Sequence, residues 1–180
     1  MIVIKKNVVI LFGSPNENGH TRKMVDYLKK DLTGYNFFEF NAYNEMIKPC
    51  IGCDKCKVNG KCFLDDFAKL EYFFKELNPE ILVIASPIYN FGFPAPLKAI
   101  IDRFQPYYYT HFKEKNYKKA ILLLSLGRKF CYKDEYIKIL NIILKPLKFK
   151  IEQFYFWDKT DFIKCVKKFQ VLNFIDDIKK

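Results

Sequence analysis

Cys50, Cys53, Cys56 and Cys62 stand together in the stretch PCIGCDKCKVNGKC, spaced C-x2-C-x2-C-x5-C. Thiols this close can close disulfides, hold a zinc ion or ligate an iron–sulfur cluster. Zinc normally takes two well-separated cysteine pairs, whereas three cysteines at x2 spacing with a fourth just beyond can wrap a compact cubane, so the spacing favours iron. The amino-terminal run MIVIKKNVVILFG leads straight into a turn, without the long apolar region and small-residue cleavage site of a secretory leader. No uncharged apolar stretch approaches the roughly 20 residues of a membrane span. The expected location is the cytoplasm, with no membrane partner, and a reducing compartment weakens the disulfide reading.

Two further stretches carry binding chemistry. Residues 13–21, GSPNENGHT, offer the hydroxyls of Ser14 and Thr21, the amides of Asn16 and Asn18, two glycines and the free N–H groups of a helix beginning near His20. Those are the groups a phosphate monoester needs. The loop lacks both G-x-x-x-x-G-K-[ST] and G-x-G-x-x-G, which disfavours a triphosphate or a dinucleotide as the tightly held ligand. The blander alternative is a tight turn in which Thr21 or Asn18 only caps the helix. Residues 86–97, SPIYNFGFPAPL, hold three prolines, a glycine and three aromatics. Tyr89, Asn90 and Phe91 there offer ring faces and an amide to a flat heteroaromatic ring, and the two loops together read as one site for a phosphate joined to an aromatic system.

The remaining candidates read as structural. Cys131 lies in a loop and Cys165 in an apolar-patterned segment, His111 is flanked by aromatic and charged residues, and Asp65 and Asp66 read as acids opening a helix. There is no Ser-His-Asp arrangement and no pair of carboxylates in a credible cleft, so no side chain is expected to act as acid or base.

The elements that must position these loops alternate along the chain. Apolar runs at 7–13, 35–40, 80–87, 118–127 and 150–157 read as strands, and 3.6-residue patterns at 22–32, 65–77, 95–104, 134–147 and 161–179 read as helices. Continuous apolar strands between helices predict a doubly wound α/β fold with a buried parallel sheet, and both binding loops then follow strands at the sheet's carboxyl end. With 180 residues the chain is expected to form one domain, with a cysteine-rich insertion at about 47–64.

The net charge of +11 is uneven: residues 1–112 carry 14 basic and 12 acidic groups, residues 113–180 carry 17 and 8. A basic face can attract nucleic acid, acidic redox proteins or anionic cofactors. The lysines are scattered and no zinc finger, helix-turn-helix or RNP motif accompanies them, so nucleic acid is not expected as a partner.

GSPNENGHT and SPIYNFGFPAPLKAIIDR resemble the phosphate motif and the SP-x-Y…LK-x-x-[IL]DR motif of the flavodoxin-like, NAD(P)H-dependent FMN reductase superfamily. CIGCDKCKVNGKCFLDDF resembles the compact cysteine motif of its iron–sulfur flavoprotein branch. The resemblance implies a three-layer fold with a five-stranded parallel sheet of order 2-1-3-4-5, and FMN as cofactor. Ser14, Asn16, Asn18, His20 and Thr21 would hold its phosphate, with His20 where the family usually has Asn. Pro87, Ile88, Tyr89, Asn90 and Phe91 would border the isoalloxazine, and residues 125–133, without the glycine-rich stretch of many relatives, would form a third flavin-facing loop. It further implies NAD(P)H as transient donor, a small acceptor such as a quinone, flavin or metal complex, and a [4Fe–4S] cluster on the four cysteines. An acidic redox protein such as ferredoxin as partner, and a homodimer or homotetramer with YYYTHF (107–112) at a contact, complete the expectation. The alternatives are a non-enzymatic electron carrier and, further off, a basic nucleic-acid-binding module.

Overall fold

A computed structural model describes residues 6–111 and 116–162. Five strands, β1 (Lys6–Phe12), β2 (Tyr35–Asn41), β3 (Ile81–Pro87), β4 (Lys118–Ser125) and β5 (Phe149–Trp157), form one sheet in the order β2-β1-β3-β4-β5 with every pairing parallel. This is the doubly wound sheet expected from the sequence. The central strands β1, β3 and β4 are the continuous apolar runs, because both of their faces are covered. The edge strand β5 alternates buried and exposed residues instead, and its register with β4 shifts between Ala120 and Ile121.

Side chains of one strand point alternately to the two faces. Val8, Ile10 and Phe12 pack under Met24, Val25 and Leu28 of α1 (His20–Asp31). Val9 and Leu11 pack on the other face with Leu70 and Phe73 of α4 (Ala68–Lys75), Leu97 and Ile100 of α5 (Ala95–Asp102) and Leu140 and Leu144 of α7 (Lys133–Leu144). Each such fully buried side chain contributes about 1.5–3 kcal/mol of transfer free energy.

Several elements differ in detail from the sequence expectation. The helix expected over 65–77 opens as a 3-10 turn, Asp65–Phe67, and ends by Lys75, ahead of Asn78, which takes a left-handed φ of 43° before Pro79. The helix expected over 95–104 closes at Asp102, and a separate α6 (Gln105–His111) follows, with Pro106 in its first turn where a missing N–H is harmless. Two short helices escaped the pattern, α2 (Ala42–Glu45) and α3 (Lys55–Asn59), both too short to show a period. Cys165 and the helix expected over 161–179 fall largely or wholly outside the described residues.

Candidate functional site

The strand order reverses between β1 and β3, and ligands of doubly wound sheets sit at the carboxyl ends beside such a point. Gly13 makes the turn out of β1: its N–H donates to the Ala85 carbonyl at 2.8 Å, and a Cβ at this position would lie 2.5 Å from Leu97 Cδ2. The loop then folds on itself, with Ser14 Oγ accepting from the Asn16 N–H (3.2 Å) and Asn16 Oδ1 accepting from the Asn18 N–H (3.0 Å). Gly19 is the N-cap of α1, and no side chain caps the helix. The opening N–H groups of α1 are therefore left for an anion. Thr21 is not a cap either, since its hydroxyl pairs with Ser125 Oγ at 2.8 Å, both residues being buried.

A pocket of about 250 Å³ opens here. Of the ten residues expected at the site, Ser14, Asn16, His20, Thr21, Pro87, Ile88 and Tyr89 line it, whereas Asn18, Asn90 and Phe91 lie outside its wall. His20 packs edge-on against Trp157 with ring centroids 4.4 Å apart, and its Nε2 is buried without a hydrogen-bond partner. Burial and the nearby Lys23 lower its pKa below the ordinary value. An uncapped helix start and an orphaned buried nitrogen in one concave site fit the phosphate of FMN.

The second loop turns on Asn90 and Phe91, both left-handed (φ 49° and 62°), while Tyr89 and Gly92 exchange two hydrogen bonds of 2.9 Å. A bulky residue in that region is uncommon and strained. The turn leaves Phe91 72% exposed, its ring 6.4 Å from Phe130 and 6.2 Å from Tyr132. An aromatic surface thus adjoins Tyr89, the ring that lines the pocket.

All four cysteines of the opening motif line a separate cavity of about 430 Å³, with Ile51, Phe63, Leu64 and Arg103 among its walls. Burial raises the pKa of the Cys56 thiol, and the neighbouring Cys50, Cys53 and Cys62 raise it further. Among the described residues no three such groups are drawn together as a ligand set, and the cysteines are free thiols. Their chemistry and shared cavity nevertheless fit an iron–sulfur cluster. Among the described residues Arg103 is the largest fully buried side chain. Its guanidinium donates to Lys48 O (3.1 Å), Leu64 O (2.8 Å), Asp66 Oδ1 (2.5 Å) and Cys62 Sγ (3.1 Å). Although burial pushes the Asp66 carboxyl up, the Lys48 N–H and the guanidinium outweigh it and hold the pKa below the usual value. Asp66 is more than a helix-opening acid.

Sequence reasoning missed Arg103, which is the last residue of the quoted LKAIIDR motif. It also missed Thr160 and Asp161, which line the first pocket from just beyond β5. The Asp161 N–H donates to Gly127 O (3.3 Å), and a Cβ on Gly127 would collide with its carboxylate. The place of both at the carboxyl end of the last strand was the available signal. Ser125 and Gly127 of the pocket wall belong to the segment 125–133 expected as the third loop.

The family model described as NADPH-dependent FMN reductase matches residues 6–130. An iron-sulfur flavoprotein of Archaeoglobus fulgidus is 32% identical over 100 residues, which cover 54% of this chain and 44% of that protein. The chain spans about half the length of the curated relatives it matches. Among solved structures, a protein of Streptococcus mutans UA159 superposes with a TM-score of 0.73 at 17% identity, covering 96% of this chain and 97% of that one. An NAD(P)H:quinone oxidoreductase of Methanothermobacter marburgensis superposes with a TM-score of 0.69 at 14% identity, covering 98% of each chain. At these identities the superpositions speak for the fold.

Proposed function

The chain belongs to the NADPH-dependent FMN reductase family, and we propose that it binds FMN at the carboxyl end of its sheet and passes electrons from NAD(P)H to a small acceptor such as a quinone, another flavin or a metal complex. The observation that carries this reading is the uncapped start of α1, opening into a pocket shared with Tyr89 of the stiff aromatic loop. FMN, when bound, supplies the hydride and single-electron chemistry.

The protein's own residues bind and shield. The first N–H groups of α1, the hydroxyls of Ser14 and Thr21 and the amide of Asn16 hold the phosphate, and His20 Nε2 gains the partner it lacks. Pro87, Ile88 and Tyr89 border the ring and keep water from it. No side chain moves a proton in this scheme. Cys50, Cys53, Cys56 and Cys62 would hold a [4Fe–4S] cluster, which would supply one-electron chemistry; their shared cavity and the iron-sulfur flavoprotein relatives support this. A homodimer or homotetramer, and an acidic redox protein as electron partner of a chain with net charge +11, extend the same reading.

Absorption spectra of the full chain, purified without oxygen, test both cofactors. Flavin bands bleached by NAD(P)H, over a broad iron–sulfur absorption, are expected. Protein that carries no flavin and binds none on titration with FMN overturns the reading, whereas flavin without iron removes the cluster alone.

A further inference from the structure

We infer that Arg103 is the positioning residue of the four-cysteine cavity: its guanidinium clasps both ends of the segment 48–66 onto α5, so that the thiols share one cavity before any metal arrives. The segment's own secondary structure does little to shape it, and between its ends it leans on α6 through α3. The one helix within it, α3, is five residues long with no buried residue, and Cys50 and Cys53 are exposed. An isolated helix of that length does not hold itself in water.

The clasp is specific to the two ends of the segment. On the entry side the Lys48 carbonyl accepts from Arg103 while the Lys48 N–H donates to Asp66 Oδ2 at 2.8 Å, so this one peptide residue is held from both its polar groups. On the exit side Arg103 reaches Leu64 O and Cys62 Sγ, and Asp66 closes the circuit through Oδ1. The guanidinium lies over the Phe67 ring with its carbon 4.9 Å from the centroid, and its side chain is 0% exposed. A planar fork of donors suits this task, since a lysine ammonium cannot serve two carbonyls, a carboxylate and a sulfur in fixed directions. Burying such a charge is costly unless it is paired and hydrogen-bonded, and a charge placed here only for packing would be poorly used. The donation to Cys62 Sγ also makes Arg103 an outer partner of a proposed metal ligand, the kind of contact whose removal typically lowers metal affinity about 10–100-fold.

This inference rests on the thiol-cage part of the proposed function for its metal readout but not for its proteolysis readout. The full chain, reduced and freed of metal, is titrated with Cd2+, followed by its thiolate absorption, and separately digested with trypsin under native conditions at Lys55, Lys57 and Lys61. In Arg103→Lys we expect Cd2+ affinity to fall at least about tenfold and cleavage at those three lysines to accelerate, while FMN affinity stays at the wild-type value. Asp66→Asn removes only the anionic partner and should change both readouts less, in the same direction; it carries the comparison alone if Arg103→Lys does not fold. Unchanged tryptic rates, or unchanged Cd2+ affinity in a chain whose wild type binds it, overturn the inference. A parallel loss of FMN binding in Arg103→Lys marks general unfolding and leaves the decision to Asp66→Asn, whose unchanged tryptic rates overturn the inference. A wild type that ignores Cd2+ removes the thiol cage from the proposed function, and the tryptic comparison then decides the clasp by itself.

Discussion

The phosphate loop and the cysteine segment are each held by an arginine, and the two arginines work differently. Arg22, on α1, bonds Glu17 of the phosphate loop (2.7 Å) and Glu39 of β2 (2.6 Å), lies 3.8 Å from the Phe12 ring centroid and keeps 15% of its side chain exposed. Arg103 is wholly buried and spends most of its donors on backbone carbonyls and a thiol. The phosphate loop is short, leaves a central strand and enters a long helix, so backbone geometry already fixes most of it. The cysteine segment departs from the layered scaffold for some twenty residues, and its two ends are tied together through Arg103 and its partner Asp66. A loop anchored by its neighbours in sequence should lose function piecemeal under mutation, whereas a loop anchored by a remote residue should lose it at once.

The largest expected effect tests whether the two regions are separable. Cys50→Ser, Cys53→Ser, Cys56→Ser and Cys62→Ser should each remove most of the iron and acid-labile sulfide from protein made anaerobically, because each thiolate is one iron ligand. FMN content should not change. Flavin lost together with iron would mean that the two sites form one cooperative unit and the contrast fails.

A smaller effect sharpens the picture of the phosphate loop. Thr21→Val removes a donor from a nearly isosteric side chain and should cost about 1.5–3 kcal/mol in FMN binding, a fall of roughly ten- to a hundredfold. Riboflavin, without the phosphate, should lose much less. Equal losses for both ligands would show that the buried Thr21–Ser125 pair matters only for the fold.

The smallest effect concerns the outer anchor. Burial raises the pKa of Glu39, but hydrogen bonds from Arg22 and Lys29 outweigh it and hold the carboxyl below its usual 4.5. The unfolded chain therefore binds this proton more readily than the folded one. The resulting stability is complete above about pH 4.5 and disappears as pH falls through the lower folded value. Glu39→Gln should lower stability by about 1–2 kcal/mol at pH 7 and by less at pH 3, as read from urea unfolding at the two pH values. A constant difference would mean that lost packing, not charge, is responsible.

The fold was legible because apolar runs and helical periods are local signals: β1, β3 and β4 announce themselves as strands buried on both sides. The two binding loops were legible from turn formers and prolines at strand ends. The walls that come from distant segments were not. Nothing in the one-dimensional pattern brings Asp161 to Gly127, or sends Arg103 back to Lys48 across 55 positions, because such pairings exist only once helices have packed. Asn18, Asn90 and Phe91 follow the same lesson in reverse, since neighbours in sequence need not face the same cavity.

The left-handed turn at Asn90 and Phe91 bears on how this protein responds to selection. Holding a phenylalanine where glycine would sit without strain costs of order 1–3 kcal/mol, a sizeable share of the 5–15 kcal/mol that separates most folded domains from unfolding. A lineage selected for heat resistance alone would be expected to replace Phe91 by glycine or asparagine and so erase the exposed ring. Its retention beside Tyr89 would mean that the aromatic surface is worth more to the organism than the stability traded for it.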